Sequence, residues 1–309
     1  MKKIKNSIKI ILFMWLIMVF SATSFALDER AGTTGAQSLK IPLGVRSIAM
    51  GEAFCAIGED INSIYWNPAG ISKITGQELY FSYNSWLLDT NYTYFSYARS
   101  LGEAGAGSIG INYVNMGNFV GMDNNGNSTG DFTAYDLIMN LSFAKKLSAN
   151  FSAGLNTKLI YSKLENETAF DFCFDIGATY SFLPKMTAGV SIQNLGPYFN
   201  YSNGSEANLL PLNIKIGLGY KPFDKFLLAA DLNIPNDDFV NFRLGSEYWV
   251  VENFALRLGY KTDKITTLGA LSGLTTGVGF KWKNYLFDFA FVPYTDLGNT
   301  YRVSLQLNF

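Results

Sequence analysis

The sequence predicts an all-β protein: a transmembrane antiparallel β-barrel of about fourteen strands, with an N-terminal segment folded as a lumen hatch. Three observations predict this class. The chain opens with an export signal, most of it alternates between apolar and polar residues, and it ends on an alternating strand whose last residue is Phe309. Together these features are typical of a barrel in a bacterial outer membrane.

The first residues are typical of a Sec signal peptide. Four lysines precede the apolar run 10–20, and Ser24-Phe25-Ala26 places small residues two apart, as signal peptidase requires. The alternative is an uncleaved membrane anchor, but the apolar run is far shorter than the ~20 residues that a spanning helix needs. We therefore expect residues 1–26 to be removed after Ala26.

The composition narrows the classes of function. The chain has no histidine, which excludes His-based acid–base, nucleophilic and metal mechanisms. The pairs Asp171/Asp175 and Glu59/Asp60 are the remaining candidates for carboxylate chemistry, and a solvated lumen wall is the simpler interpretation. The 24 basic and 25 acidic residues form no basic stretch. We predict no catalytic residue, no metal, no cofactor and no nucleic-acid partner.

The alternation has a period of two, as in a β-strand whose successive side chains point to opposite faces. In 151–161, for example, Phe151, Leu155 and Leu159 share one face, and Asn156 and Lys158 share the other. A Lys or Arg against mid-bilayer lipid costs ~2–4 kcal/mol, so the polar faces should line the lumen. The predicted lumen-facing residues are Asp136, Lys158, Asp171, Asp175, Lys215, Asp231, Arg243, Glu247, Arg257, Asp288 and Arg302.

The outward faces should contact outer-membrane lipid, with aromatic residues near strand ends at the membrane interfaces. The expected interfacial residues are Tyr80, Trp86, Tyr161, Tyr180, Tyr220, Tyr248, Trp249, Tyr260 and Trp282. Alternation alone leaves open a soluble β-protein with an inward apolar core. The export signal, the link lengths and the C-terminal strand favour the membrane barrel.

The links between strands predict the orientation. Links after even-numbered strands are short, and those after odd-numbered strands are mostly longer, notably 117–131 and 194–211. Outer-membrane barrels have short periplasmic turns and longer external loops. We therefore expect both termini in the periplasm. The last strand, with its terminal Phe309, resembles the signal that barrel-assembly machinery recognises.

Residues 27–75 show no sustained alternation and are too few for a stable separate domain. We expect them to form a hatch inside the barrel domain 76–309. Asn67 before Pro68 indicates a helix start, because Asn caps helices and Pro is tolerated at their first position. Gly70 is expected to end that turn. Cys55 and Cys173 either pair in a disulfide or remain two buried thiols.

The run from Arg46 to Gly70 resembles the signature of the PorV/PorQ family, which is related to the FadL-type long-chain fatty-acid transporters. The resemblance rests on 49–51 (Ala-Met-Gly), Glu59-Asp60 and 66–70 (Trp-Asn-Pro-Ala-Gly), with further matches at 188–196 and 257–260. It covers essentially the whole mature chain. It implies a fourteen-stranded barrel with an internal hatch.

Two functions follow from the resemblance and the predicted plug. The first is passage or binding of a hydrophobic or amphipathic small molecule, with Asn67, Pro68, Ala69 and Gly70 as the moving part and Gly51 and Gly58 allowing close packing. A static plug is equally compatible with these residues. The second is a non-enzymatic component of a protein secretion (type IX) system that binds cargo or partner proteins through the links 117–131 and 194–211.

Overall fold

Fourteen antiparallel strands close into a barrel in which each strand pairs with its neighbours in sequence and β1 pairs with β14. The computed structural model describes residues 30–88, 90–202, 208–263 and 265–309, so the expected signal peptide lies outside the described residues. The closed barrel of fourteen strands confirms the predicted fold class. The strands are β1 Gln77–Ser85, β2 Asn91–Ser100, β3 Ala106–Met122, β4 Ser128–Lys146, β5 Phe151–Leu164, β6 Glu167–Leu183, β7 Met186–Leu195, β8 Asn213–Phe223, β9 Phe226–Pro235, β10 Asn241–Val251, β11 Phe254–Lys261, β12 Leu274–Trp282, β13 Tyr285–Pro293 and β14 Asn299–Asn308.

The two faces of each strand differ as the alternation predicts. On β14, Tyr301 and Val303 are 50% and 48% exposed on the outer surface, whereas Arg302 between them is 2% exposed. Every strand except β9 carries at least one exposed large apolar side chain on this outer surface. An exposed apolar belt of this extent is what the lipid of an outer membrane requires.

Most of residues 34–75 are buried against the inward faces of the strands, and we refer to residues 30–75 as the hatch. They contain two short α-helices, α1 (Val45–Ala49) and α2 (Ser63–Trp66), and two 3₁₀ turns, Gln37–Lys40 and Pro68–Lys73. A third helix, α3 (Ile265–Leu268), lies in the link between β11 and β12, and further 3₁₀ turns are Gly102–Ala104, Ala270–Gly273 and Thr295–Leu297. None of the helices in the described ranges is both long and apolar enough to cross a membrane.

The barrel wall is taller on one side than the sequence predicts. β3 and β4 have 17 and 19 residues, whereas β7 to β14 have 8 to 11. The expected link 117–131 is therefore wrong: most of it continues the β3–β4 ladder, and the turn narrows to 123–127. Phe119 and Phe132 stack across the two strands at 5.4 Å between ring centroids, a contact that favours pairing over a loop.

The two rims of the barrel differ in the links that they carry. The ends of the barrel domain meet at one rim, where the Gln77 amide donates to the Phe309 carbonyl at 2.7 Å, and the short turns lie at this rim. The opposite rim carries the longer links, among them the segment after β7, whose Leu209 carbonyl accepts from the Gly35 amide at 2.8 Å. The hatch thus runs the length of the lumen. β1 thus begins and β14 ends at the same rim, and the expectation that both termini lie in the periplasm stays a prediction.

Two of the expected interfacial aromatics face inward instead. Leu79, Phe81 and Tyr83 take the outward positions of β1, so Tyr80 between them is buried, and its hydroxyl accepts the Val45 amide at 2.9 Å. Trp86 packs on Tyr294 near the lumen, at 5.4 Å between ring centroids. By contrast Tyr180, Tyr248 and Trp282 are exposed on the outer surface.

Candidate functional site: the hatch and the chamber above it

The predicted lumen residues are all buried, with exposed fractions of 9% or less. Most of them face the hatch or each other, so the charges are compensated inside the lumen rather than solvated. A buried ion needs this compensation, because desolvation costs several kcal/mol per charge. The eleven are Asp136, Lys158, Asp171, Asp175, Lys215, Asp231, Arg243, Glu247, Arg257, Asp288 and Arg302.

Arg46 of helix α1 joins the hatch to the wall. Its guanidinium contacts Glu247 on β10 through two bonds of 2.7 and 2.8 Å and Asp60 of the hatch at 2.7 Å. Glu247 also accepts from Arg257 at 2.7 Å, and Arg257 continues to Asp288 at 2.5 Å. Burial alone would lower the pKa of Arg46, but the charges of Glu247 and Asp60 outweigh it and raise that pKa. The hatch is therefore held by a charged chain across β10, β11 and β13.

A second ionic contact lies nearer the long-link rim. Glu52 of the hatch accepts from Lys261 on β11 at 2.8 Å and also pairs with Arg243 on β10. Arg243 reaches Asp263 at 3.5 Å. Glu52 has a left-handed backbone, φ 64°, directly after the left-handed Gly51, φ 65°. This tight turn aims the carboxylate at the wall.

Polar wall residues also satisfy the hatch backbone. Asp231 on β9 accepts the amides of Phe54 and Cys55, each at 2.8 Å. Lys158 on β5, by contrast, pairs with Asp175 on β6 at 2.8 Å within the wall. Carboxylates that accept backbone amides give strong, geometrically specific contacts. The hatch is thus fixed by wall groups on several strands.

The Asn67 motif lies where the hatch meets β5 to β7. Asn67 caps the 3₁₀ turn Pro68–Lys73, its Oδ1 accepting the Ala69 amide at 3.1 Å. The turn continues past Gly70, so the expectation that Gly70 ends it is wrong; Gly70 instead lies within it. The Asn67 amide donates to the Cys55 carbonyl at 2.7 Å and to the Ala178 carbonyl of β6 at 3.0 Å. One side chain therefore ties two hatch segments to the wall.

Two hatch glycines stand where a side chain has no room. A Cβ on Gly51 would lie 2.5 Å from the Leu244 carbonyl oxygen and 2.6 Å from the Tyr260 nitrogen. Gly58 faces Gly70, and a Cβ on Gly58 would lie 2.5 Å from the Gly70 Cα. Both contacts are below any normal van der Waals separation. The hatch backbone therefore packs directly on the wall and on itself.

A chamber of about 350 Å³ lies between the hatch and the long-link rim. It is polar, with aromatic faces from Tyr65, Trp66, Trp86 and Tyr294. The sequence did not predict Trp86 or Tyr294 as lumen residues, because aromatics near strand ends point either way. Its charged lining consists of Lys40, Glu52, Lys215, Asp237, Asp238, Arg243, Lys261 and Asp263.

The described residues contain no group of His, Cys, Asp and Glu arranged to hold a metal ion. Cys55 and Cys173 are free and buried, and burial raises the pKa of the Cys55 thiol well above its ordinary value. A protonated, enclosed thiol is a poor nucleophile. The arrangement suits a ligand held in the chamber above the hatch.

Comparison with known proteins places the chain among outer-membrane proteins. The family described as type IX secretion system protein PorV matches residues 24–237. No curated protein matches the chain by sequence. The family match confirms the resemblance seen in the Arg46–Gly70 run.

Solved structures share the fold at low identity. The toluene transporter TbuX of Ralstonia pickettii is 14% identical with a TM-score of 0.63, over 86% of this chain and 98% of that one. The toluene transporter TodX of Pseudomonas putida is 12% identical with a TM-score of 0.60, over 85% and 96%. A FadL homologue of Pseudomonas aeruginosa is 11% identical with a TM-score of 0.55, over 92% and 99%. At these identities the likeness shows the fold.

Proposed function

Since the chain belongs to the PorV family, we propose that it is an outer-membrane protein that binds an amphipathic small molecule and passes it through its hatch-plugged lumen. The observation that carries the proposal is the chamber of about 350 Å³ between hatch and rim. Its size is typical of a small-molecule site. The structural relatives TbuX and TodX, described as toluene transporters, support passage of small organic molecules. The proposed role is not enzymatic.

We assign the chamber to the external side. The short turns and Phe309 then face the periplasm, in agreement with short periplasmic turns in barrels of this class. Barrel-assembly machinery would reach the terminal strand β14 from that side. A solute entering from outside would meet the chamber first and the Asn67 motif next. The hatch must shift for the solute to pass.

A reversible covalent lock tests this route. A Cβ on Gly219 of β8 would lie 3.8 Å from the Ala56 Cβ of the hatch, the usual separation in a disulfide. We expect the double variant A56C/G219C, in a C55S background, to tie the hatch to the wall when oxidised. The measurement is uptake of radiolabelled octanoate by Gram-negative cells that lack a transporter of this fold. Uptake should stop on oxidation and return on reduction.

The C55S background without the added cysteines is the matched control, and its uptake should not respond to oxidation. Equal uptake by the oxidised and reduced lock variant would show that the hatch does not move, and would overturn the proposed route. Uptake no higher than in cells with an empty vector would contradict transport of octanoate altogether.

The long β3–β4 hairpin favours a second function. The family is described by its type IX secretion role. The part of the β3–β4 hairpin beyond Asn115 has no ladder partner on β2, because β2 begins at Asn91, which pairs with Asn115. Val120 and Met122 on this hairpin are 58% and 68% exposed. A free edge with exposed apolar side chains is a surface on which a protein partner can add a strand. This supports binding of a secreted protein or another secretion component.

Shortening the hairpin tests the second function. A variant in which residues 118–131 are replaced by a two-residue Asn-Gly turn keeps the ladder below Asn115. If the chain serves secretion, a secreted protein should co-purify with the natural chain and be lost with the shortened one. Identical co-purification from both would contradict docking at this hairpin.

A further inference from the structure

An open cleft of about 500 Å³ lies at the long-link rim, where the β3–β4 hairpin rises above the turn between β5 and β6. The ladder between β4 and β5 ends at the pair Ala134 and Leu164, so the hairpin continues beyond its neighbour and leaves a step in the wall. The cleft occupies this step. Its volume lies within the range of small-molecule sites.

The cleft opens on the outer face of the wall. Thr133, which lines it, lies on the same face of β4 as Tyr135 and Leu137, and Leu137 is 40% exposed on the outer surface. Lys163, another lining residue, shares its face of β5 with Tyr161. The cleft is therefore separated from the chamber by the wall, and a solute in the lumen would not meet it.

A row of tyrosines below the cleft indicates its depth in the membrane. The rings of Tyr113, Tyr135 and Tyr161 follow one another across β3, β4 and β5, with centroid distances of 5.8 and 6.2 Å. Tyrosine side chains concentrate where the membrane meets water, because the ring is apolar and the hydroxyl is polar. Thr133 lies two residues nearer the rim than Tyr135, which is ~7 Å along the strand. This places the cleft at the level of the lipid head groups.

The cleft is lined mainly by polar side chains that are free to bind a ligand. Six of them have no hydrogen-bond or ion-pair partner in the part of the chain that the structure describes. They are solvated rather than paired, so a ligand can reach them without breaking contacts in the protein. A hydroxyl group can satisfy all of them, because it both donates and accepts. The six are Asn118, Asp131, Thr133, Lys163, Glu165 and Asn166.

The charges of the cleft disfavour an anionic head group. Asp131 and Glu165 supply two carboxylates, whereas Lys163 supplies one ammonium. A phosphate bound here would be repelled by more charge than attracts it. Hydroxyl groups that donate to a carboxylate form charge-assisted hydrogen bonds, which are stronger than bonds between neutral groups. The lining thus favours a group that is uncharged and rich in hydroxyls.

We propose that the cleft binds the sugar head group of a neutral glycolipid. The sugar hydroxyls would donate to Asp131 and Glu165 and accept from Asn118 and Lys163, and the acyl chains would lie on the outer surface below Tyr135. Placing this lipid in the external leaflet rests on the orientation assigned with the proposed function. The binding itself requires neither the chamber nor movement of the hatch.

The test is retention of lipid by the full mature protein. It is reconstituted in bilayers of equal parts glucosyl diacylglycerol, phosphatidylcholine and phosphatidylglycerol with the same acyl chains, and then released with detergent. Native mass spectrometry counts the lipids that stay bound. The glucosyl lipid should be retained ~10-fold more than either of the others, because only its head group is both uncharged and rich in hydroxyls.

The variant N118A/E165Q removes an amide and a charged acceptor from the cleft. It should lower retention of the glucosyl lipid ~10-fold. The matched control is N299A/D296N, because Asn299 and Asp296 are exposed at the same rim, on β14 and in the turn before it. Its retention should not change. Heat-dependent gel mobility checks that each variant is folded.

Three results would overturn the glycolipid site. They are equal retention of the three lipids by the natural chain, preferential retention of phosphatidylglycerol, and equal retention of the glucosyl lipid by N118A/E165Q and its control. Retention that depends on the cleft, together with uptake that ignores the A56C/G219C lock, would keep the site and reject the moving hatch. Uptake that responds to the lock, without preference for the glucosyl lipid, would do the reverse.

Discussion

At the scale of single residues, Asn67 is the most connected polar side chain of the hatch. Its amide reaches the Cys55 and Ala178 carbonyls, and its carbonyl oxygen caps the following turn. The sequence predicted the cap, because Asn before Pro is a local signal. It could not predict the two carbonyl partners, which lie 12 and 111 residues away.

We expect N67A to lower the free energy of unfolding by about 1–3 kcal/mol, because it leaves buried carbonyls without donors. The measurement is urea unfolding in detergent. N84A is the control: Asn84 is also buried in the lumen, but neither side-chain amide atom has a partner among the described residues. Equal losses of stability in N67A and N84A would show that N67A acts through the lost side-chain volume alone and that the Asn67 hydrogen bonds add nothing.

At the scale of elements, helix α1 carries one of the charged contacts that hold the hatch to the wall. Arg46 has two carboxylate partners, Asp60 within the hatch and Glu247 on β10, 201 residues along the chain. Strand alternation placed Glu247 and Arg257 in the lumen, because a period of two needs only local sequence. The hatch sequence has no regular alternation, so it does not predict which hatch residue contacts Glu247 and Arg257. That part of the site required the structure.

We expect R46M to loosen the hatch by about 3–5 kcal/mol, because it leaves Glu247 and Asp60 buried with less positive charge. Amide hydrogen exchange in the hatch should speed up while the strands stay protected. K40M removes the Lys40–Asp237 pair, in which only Lys40 is partly exposed; it should cost less than R46M, because Asp237 keeps the Thr34 hydroxyl as a donor. If amide exchange in the hatch were equally fast in R46M and K40M, the contacts of Arg46 with Glu247 and Asp60 would not be holding the hatch in place.

The β3–β4 hairpin shows a limit of prediction from composition. Asn, Asp and Gly between Gly117 and Asp131 indicated a loop, and they do supply the turn at 123–127, where Asp123 accepts the Asn125 and Asn127 amides at 2.9 and 2.8 Å. Cross-strand contacts such as Phe119 on Phe132 extend the ladder beyond the point where turn residues begin. Tertiary pairing thus overrides local preference.

At the scale of the whole molecule, the lipid-facing surface determines which face of each strand is apolar. Val303 lies in the middle of β14 and points outward. We expect V303K to lower stability in lipid vesicles by about 2–4 kcal/mol, because it places a charge against the membrane interior. The measurement is denaturant titration of folding into vesicles.

The control for this prediction is L271K. Leu271 is 70% exposed and lies in the link between β11 and β12, beyond the strands. Its replacement should change stability by less than ~0.5 kcal/mol. An equal, small effect at both positions would contradict a membrane around β14.

The proposed passage of a solute depends most on the hatch closing the lumen. Planar-bilayer conductance tests this directly, by comparing the full mature protein with a variant that lacks residues 30–75. A barrel of fourteen strands without its plug is wide enough for water and ions. We expect the full protein to carry little current and the variant to conduct steadily. Equal, high conductance from both would contradict a plugged lumen, and with it the passage of a solute past Asn67.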